Sequence, residues 1–242
     1  MWDSHLNANP TNAWLGWGDF GCDPEIYSEE IMNGFDAWIG TGQLLSAPAM
    51  FEGTFTRQVY FPKASKEDKS LYFDLNSPHG THVAGTKAQI TVPIEHGGLF
   101  AREGAVIPIG KDYQTVTQLH GSSRTTIDGV DVLLEKDGGV VGLDDWRGVQ
   151  IFPGPQGSYT GQWIEDDGIS SDPDKTIIEV KYSAEKDEKE VKVQLKFLEH
   201  KFKVAWEDKV TVILPIGDKR AVKGGKQSTW KNRTVWVVKV GH

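Results

Sequence analysis

Short segments with period-two alternation run through most of this chain, and they constrain its fold more than any other feature. From Leu44 onward, segments rich in β-branched and aromatic residues alternate with turn residues such as Gly, Pro and Asp. They predict strands over 56–61, 87–92, 105–109, 130–134, 140–143, 148–152, 176–182, 190–197, 201–206, 209–214 and 234–240. No long amphipathic helix follows, so the pattern predicts a mainly β protein of the sandwich type.

The first 45 residues differ from the rest. Trp14 to Gly18 is irregular and rich in glycine. Asp23 is a plausible N-cap, and Pro24 suits the first helical position. Together they predict a helix that runs toward Met32 and ends near Gly34.

Charge and cysteine content narrow the classes of partner and site. The chain has 26 Lys and Arg against 34 Asp and Glu, for a net charge of −8, which argues against a nucleic acid partner. Cys22 is the single cysteine, so neither an internal disulfide nor a thiolate metal site is expected. Neither a membrane-spanning run nor a signal peptide is expected in this chain, and its compartment stays open. Asn232 begins a glycosylation sequon, a triplet that often arises by chance.

The octapeptide His79-Gly-Thr-His-Val-Ala-Gly-Thr86 matches the histidine motif of subtilisin-like serine proteases. A triad also needs a serine and an aspartate within hydrogen-bond reach. Neither Ser46 nor Ser122-Ser123 has the protease sequence context, and the aspartate motif is missing upstream. The residues after Gly85 alternate like a strand. We therefore expect a loop that enters a strand, and a protease fragment is only a remote alternative.

Several segments, in order, carry a family resemblance. They are 35–48, which ends in Ala-Pro, 57–62, 72–75, 94–108 with a Phe-x-Arg-x-Gly pattern that continues to a proline, and 163–168 with its acidic turn. Together they resemble the C-terminal region of glycoside hydrolase family 31, the family of α-glucosidases and α-xylosidases. No single segment is decisive, and the specificity lies in their order and spacing.

The resemblance implies two consecutive antiparallel β-sandwich modules preceded by a short helical remnant of a (β/α)₈ barrel. The expected division is a remnant at 1–47, a proximal sandwich at 48–112 and a distal sandwich at 113–242. The family's two catalytic carboxylates lie on the barrel, which takes about 250 residues. A complete barrel does not fit before residue 48, so we assign no catalytic, cofactor-binding or metal-binding residue.

The implied function follows from this division. The parent resembles a retaining α-glycosidase that hydrolyses α-glycosidic bonds, and this chain is expected to support the barrel without being catalytic alone. The expected partner is the catalytic barrel of the parent, with an oligosaccharide as a further candidate and no nucleic acid or membrane. The alternative is a free-standing carbohydrate-binding sandwich, which would need exposed, coplanar aromatic side chains such as Trp146, Trp163 or Trp230.

Three further groups have a structural and a functional interpretation. The turn Glu165-Asp166-Asp167-Gly168 could bind Ca²⁺, but its spacing is not that of an EF-hand, so an acidic turn is favoured. Within Asp144-Asp145-Trp146-Arg147, an ion pair is favoured over a sugar contact. Arg102 is expected to make an ion pair or cap a backbone group.

Aromatic residues are concentrated near the N-terminus. We expect them to have packed on the barrel and to form an exposed patch that promotes self-association. They are Trp2, Trp14, Trp17, Phe20, Phe35 and Trp38.

Overall fold

The computed structural model describes most of the chain. The described residues are 12–40, 42–49, 51–53, 55–92, 97–110, 123–127, 130–134, 140–141, 146–166, 174–204, 206 and 208–242. Strands predominate among them, which confirms the mainly β class. Within these segments no helix is long and apolar enough to cross a membrane.

The N-terminal part forms short helical turns, and the continuous helix predicted from Asp23 and Pro24 is wrong. The helical pieces are 3₁₀ turns at Gly18–Cys22 and Pro24–Tyr27 and one α-helical turn, α1, at Glu29–Met32. Asp23 does act as an N-cap, since its carboxylate accepts a hydrogen bond from the Glu25 amide at 3.2 Å. The extended backbone of Ser28 (φ −63°, ψ 147°) divides the predicted helix into two pieces.

Nine strands of the described residues precede residue 110. They are β1 (Asn12–Trp14), β2 (Ala37–Ile39), β3 (Leu44–Ala47), β4 (Thr56–Phe61), β5 (Leu71–Asp74), β6 (Thr81–Val83), β7 (Thr86–Thr91), β8 (Gly98–Arg102) and β9 (Val106–Ile109). A six-stranded antiparallel sheet has the order β1-β2-β3-β8-β5-β6, and β4 pairs antiparallel with β7. The strands before residue 47 therefore share a sheet with strands after it.

One hydrophobic core joins the six-stranded sheet to the β4–β7 pair. Trp38, Tyr72 and Phe100 contribute to it from the sheet, and Phe61 contributes from β4, all of them at most 1% exposed. Phe61 packs on both Tyr72 and Phe100, with ring centroids 5.3 and 5.0 Å apart. Burial of each such side chain stabilises the fold by roughly 1.5–3 kcal/mol.

Eleven strands of the described residues follow residue 110. They are β10 (Ser123–Ile127), β11 (Val130–Leu134), β12 (Val140–Val141), β13 (Gly148–Ile151), β14 (Gly157–Glu165), β15 (Thr176–Ala184), β16 (Glu190–His200), β17 (Lys209–Ile213), β18 (Ala221–Lys223), β19 (Lys226–Trp230) and β20 (Arg233–Lys239). A five-stranded sheet has the order β19-β20-β17-β13-β9, and a four-stranded sheet the order β14-β15-β16-β18. Most pairs are antiparallel, but β13–β17 and β16–β18 are parallel. β10, β11 and β12 form a separate three-stranded sheet.

The five- and four-stranded sheets pack face to face as a sandwich. Their shared core includes Val149 and Val212 from one sheet, and Ile178, Val180 and Val191 from the other, all fully buried. The strand predicted at 201–206 is wrong for the described residues 201–204 and 206. This segment carries the chain from β16 to β17 in the opposite sheet, so it cannot remain in either ladder.

The Phe-x-Arg-x-Gly segment connects the two halves of the molecule. β8 lies in the six-stranded sheet and β9 in the five-stranded sheet, with three residues between them. Gly104 has φ +90°, a left-handed conformation that favours glycine, and a Cβ there would lie 3.0 Å from the Tyr159 ring. Nearby, Arg102 lies 3.6 Å from an Asp68 carboxylate oxygen and 4.7 Å from the centre of the Phe20 ring. The ion pair predicted for Arg102 is confirmed, and the division at 1–47, 48–112 and 113–242 stays a prediction.

Candidate ligand-binding cleft

A cleft of about 470 Å³ lies where the two halves of the molecule meet. β5 and the turn after it form one wall, while the loops after β13 and β17 form another. Phe73, Phe152 and Ile216 provide apolar surface, and Asp74 and Arg233 are among the charged residues of the lining. The volume falls within the range of small-molecule sites, roughly 300–1,000 Å³. The cleft is therefore the candidate site of this molecule.

Arg220 holds one wall of the cleft in place, and its guanidinium group is already hydrogen-bonded within the protein. Its Nε and Nη2 donate to the Asp218 carboxylate at 3.0 and 2.7 Å. Its Nη1 and Nη2 also donate to the carbonyl oxygens of Gly154 and Pro153 at 2.8 and 2.9 Å. Because Asp218 neutralises this guanidinium, Arg220 fixes the loop after β13 and adds little net charge to the cleft.

Arg233 differs from Arg220, because no acidic side chain of the described residues pairs with it. It begins β20 after the two-residue turn Lys231-Asn232, whose φ values of +46° and +60° are typical of a type I′ hairpin turn. Its Nη2 donates to the Leu214 carbonyl oxygen at 2.6 Å, and no carboxylate of the described segments pairs with it. Burial lowers the pKa of Arg233 from its ordinary value, but a guanidinium stays charged in a protein. The cleft is thus lined by a half-buried cation.

Polar groups also come from the turn after β5. The Asp74 carboxylate accepts a hydrogen bond from the Asn76 amide at 2.8 Å, and burial raises the pKa of Asp74 above its ordinary value. His79 follows in a left-handed conformation (φ +60°), with its Nδ1 3.4 Å from the Asp74 carbonyl oxygen. Asp74 and His79 both line the cleft and supply hydrogen-bonding groups beside its apolar surface.

The protease-like octapeptide does not begin a helix. Its residues form β6 and the start of β7, with a turn at Ala84-Gly85 between them. The predicted loop is wrong for 81–83, which form β6, while the predicted entry into a strand is confirmed at β7 and the helix that the protease motif requires is not formed. His82 of this segment stacks on Phe61 with ring centroids 4.4 Å apart, and burial lowers the pKa of its imidazole. Ser46 lies in β3, in the interior of the six-stranded sheet.

Arg147 forms an ion pair with Glu165, a partner outside the segment 144–147 in which the sequence predicted a pair. Arg147 Nε lies 2.6 Å from Glu165 Oε1, and Nη2 donates to Oε2 at 2.8 Å. Glu165 Oε1 also accepts a hydrogen bond from Trp163 Nε1 at 2.8 Å. Since Glu165 is engaged in this network, it is not an open calcium ligand. Asp144, Asp145, Asp167 and Gly168 lie outside the described residues.

The three tryptophans considered for sugar binding do not form an open platform. Trp163 is 6% exposed and belongs to the sandwich core. Trp146 and Trp230 are nearly parallel, at an angle of 13°, but they stack on each other with centroids 5.5 Å apart. The ammonium group of Lys231 lies 4.8 Å from the centre of the Trp230 ring. These contacts use ring surface that a carbohydrate would need.

The N-terminal aromatic residues divide into a buried and an exposed set. Phe20 and Trp38 were predicted to be exposed, but they are 5% and 1% exposed because they stack on each other in the core. Trp14, Trp17 and Phe35 are 43%, 49% and 68% exposed, as predicted. Trp2 lies outside the described residues. Further exposed apolar side chains of this region are Tyr27, Met32, Phe51 and Phe55; we call the seven exposed side chains the apolar surface.

No pattern in the sequence predicts the cleft. Its lining residues come from segments as distant as 71–81 and 215–233, and no local motif links them. In the sequence, Arg233 stands out only as the middle residue of the sequon that begins at Asn232. No group of three or more His, Cys, Asp or Glu side chains in the described segments is placed to hold a metal ion.

The arrangement of strands is similar to parts of several solved structures. No protein-family model and no curated protein matches the sequence. Among solved structures, a Flavobacterium johnsoniae GH31 dextranase matches 98% of this chain with a TM-score of 0.64 and 14% identity. The GH31 α-xylosidase of Xanthomonas citri matches 98% with a TM-score of 0.56 and 19% identity, and a glucosidase II α subunit matches 98% with 0.54 and 13%.

These likenesses concern part of each enzyme. The chain spans 28%, 22% and 25% of the dextranase, α-xylosidase and glucosidase II chains. At these identities the comparison shows the fold alone. The predicted resemblance to glycoside hydrolase family 31 is thereby confirmed at the level of the fold.

Proposed function

We propose that this chain is a non-catalytic β-sandwich region of a GH31-type glycoside hydrolase and that it supports a catalytic barrel. The observation that carries the proposal is the extent of the structural match. Nearly the whole chain, 98%, corresponds to only 22–28% of enzymes that are described as a dextranase, an α-xylosidase and a glucosidase II subunit. The parent would hydrolyse α-glycosidic bonds with carboxylates that lie outside these residues.

The apolar surface supports the proposed contact with a barrel. Trp14, Trp17 and Phe35 are 43–68% exposed, and Trp14 makes an edge contact with Tyr27, with ring centroids 5.5 Å apart. Large aromatic groups are enriched where protein surfaces are buried against a partner. The backbone next to Trp14 is tied to the core, since buried Trp38 donates its Nε1 hydrogen to the Leu15 carbonyl oxygen at 2.9 Å. We therefore place the barrel contact on this surface.

A first experiment tests the surface. The purified chain should self-associate in sedimentation velocity and enhance the fluorescence of an apolar dye such as ANS, because the side chains of the apolar surface are exposed. A variant with Trp14→Ser, Trp17→Ser and Phe35→Ser should lose most of both signals. Leu198→Ser is the matched control, since Leu198 is also exposed, at 51%, but lies on β16. Equal effects of the triple variant and the control would contradict the proposed surface.

A second experiment tests the absence of catalysis and the identity of the partner. The chain alone should not hydrolyse p-nitrophenyl α-glucoside or α-xyloside above the blank. The messenger RNA that encodes it should carry, upstream and in frame, sequence for a barrel with two carboxylates at strand ends. Measurable hydrolysis by the chain alone, or an upstream frame of another fold, would overturn the proposal.

A further inference from the structure

We propose that the cleft between β5 and the loops after β13 and β17 binds a small organic carboxylate through Arg233. The ligand class is a monosaccharide-sized molecule that carries one carboxylate next to an apolar face. This inference rests on the cleft itself and does not depend on the proposed role beside a barrel.

Arg233 supplies the positive charge that would bind the carboxylate. A guanidinium has five N–H donors arranged as a planar fork that matches a carboxylate. Arg233 uses Nη2 for the Leu214 carbonyl oxygen, and the described residues supply no carboxylate to neutralise it. The contrast with Arg220 is informative, because that neighbouring cation is paired with Asp218 through both Nε and Nη2. A charged group left half-buried without a counter-ion is costly unless something else compensates it.

The size and the apolar lining of the cleft suit a ligand of this class. Its volume of about 470 Å³ accommodates a molecule of monosaccharide size. Phe73 and Phe152, with ring centroids 5.5 Å apart, and Ile216 supply apolar surface against which an aliphatic ring face can pack. Ile216 is 46% exposed, so its apolar surface is accessible to a ligand in the cleft.

The remaining polar groups complete the site. Asp74 and His79 line the cleft as well, and both can form hydrogen bonds with ligand hydroxyl groups. Burial favours the protonated form of Asp74, which reduces its repulsion of an anion. The backbone of His79 is held in a left-handed conformation (φ +60°), and its amide donates to the Asn76 carbonyl oxygen at 2.7 Å. The turn that presents these groups is therefore fixed by its own hydrogen bonds.

The test compares two ligands that differ in one charge. The full chain is titrated with D-glucuronate and with its methyl ester, while the amide signals of Gly154 and Gly217 in the cleft are followed by NMR. We expect saturable shifts with glucuronate and at least about tenfold weaker binding of the ester, because the ester cannot form a charge-assisted pair with Arg233. Equal affinity for the two ligands, or no saturable shift with glucuronate, would overturn the proposal.

Two variants that each remove one positive charge test whether Arg233 binds the carboxylate. Arg233→Gln should weaken glucuronate binding at least about tenfold, since it removes the cation. Lys226→Gln removes one positive charge from β19 of the same sheet, outside the cleft lining, and should leave the affinity within about twofold. Circular dichroism and melting temperature verify that both variants fold.

A second cleft variant keeps the proposal testable if Arg233→Gln is unstable. Asp74→Asn retains an oxygen that can accept from the Asn76 amide but removes a negative charge from the lining. Its preference for glucuronate over the methyl ester should be at least as large as that of the unaltered chain, because the two ligands share the same hydroxyl groups. A smaller preference for glucuronate in this variant would contradict a site that selects anions.

Discussion

Tyr60 donates its hydroxyl hydrogen to the carboxylate of Asp23 across 2.6 Å, and so connects β4 to the N-terminal turns. Asp23 is fully buried, and its second contact on the same oxygen is the Lys63 amide at 3.0 Å. Burial and the nearby Asp23 carboxylate raise the pKa of Tyr60 well above its ordinary value, so the phenol remains a donor. A single carboxylate thus joins the 3₁₀ turn, β4 and the chain after it.

Removal of this hydroxyl group should destabilise the fold. Tyr60→Phe leaves the buried Asp23 carboxylate with one fewer donor, and we expect a loss of about 1.5–3 kcal/mol in the free energy of unfolding. Urea denaturation measures it. Tyr27→Phe is the control, because the Tyr27 hydroxyl donates to the neutral Gly21 carbonyl oxygen at 3.0 Å near the surface. A similar loss in both variants would show that the buried charge is unimportant.

The Arg147–Glu165 pair should be among the most costly interactions to break. Both side chains are at most 15% exposed, and Glu165→Gln replaces the carboxylate that binds the Arg147 guanidinium and Trp163 Nε1 with a neutral amide. We expect a loss of about 1.5–3 kcal/mol by chemical denaturation, the range for hydrogen bonds to a charged group. Glu185→Gln, which breaks the solvent-exposed pair with Lys192, should change stability little. Comparable effects at the two positions would contradict the structural role of Arg147.

Gly161 marks a close approach between β14 and β9. A Cβ at this position would lie 2.6 Å from a methyl carbon of Val106. Gly161→Ala should therefore force the two strands apart and cost about 1–3 kcal/mol. Gly80→Ala, where the added carbon meets nothing within 4 Å, is the control. Thermal unfolding of the two variants separates the predictions, and an unchanged melting temperature for Gly161→Ala would contradict them.

Acid sensitivity should depend on Asp68. Burial alone would raise the pKa of Asp68, but hydrogen bonds from Ser70 and the Ala64 amide, with Arg102 nearby, outweigh burial and lower it. Because the folded pKa is below the unfolded one, the carboxylate stabilises the fold above the unfolded pKa. That contribution is lost as the pH falls through the folded pKa.

The measurement compares the unaltered chain with Asp68→Asn in urea at a series of pH values from about 7 down to about 3. The difference in stability should be largest near neutral pH and should shrink as the pH falls. A difference that stays constant, or grows in acid, would show that the Asp68 charge does not contribute in this way.

The sequence predicted individual strands better than their assembly. β4 and β11 have the predicted bounds, because β-branched residues in both, with aromatic residues in β4 and leucines in β11, are a local signal. β14 was missed, since Gly157 and Gly161 interrupt its pattern, and the sheet accepts them only because Tyr159 and Val106 need the space. The cleft was missed for a related reason: Asp74 and Arg233 are brought to it by sheet pairing, which no local pattern specifies.

The pairing of β9 with β13 has a consequence for dissecting this molecule. β9 lies before residue 112 but forms an outer strand of the distal five-stranded sheet, where Ile107 pairs with Gln150. A distal fragment cut at residue 113 would leave the backbone groups of β13 open along one side. Open sheet edges recruit strands from other molecules. Such a fragment should therefore form intermolecular aggregates, whereas a cut placed before β9 would carry the protecting strand with it.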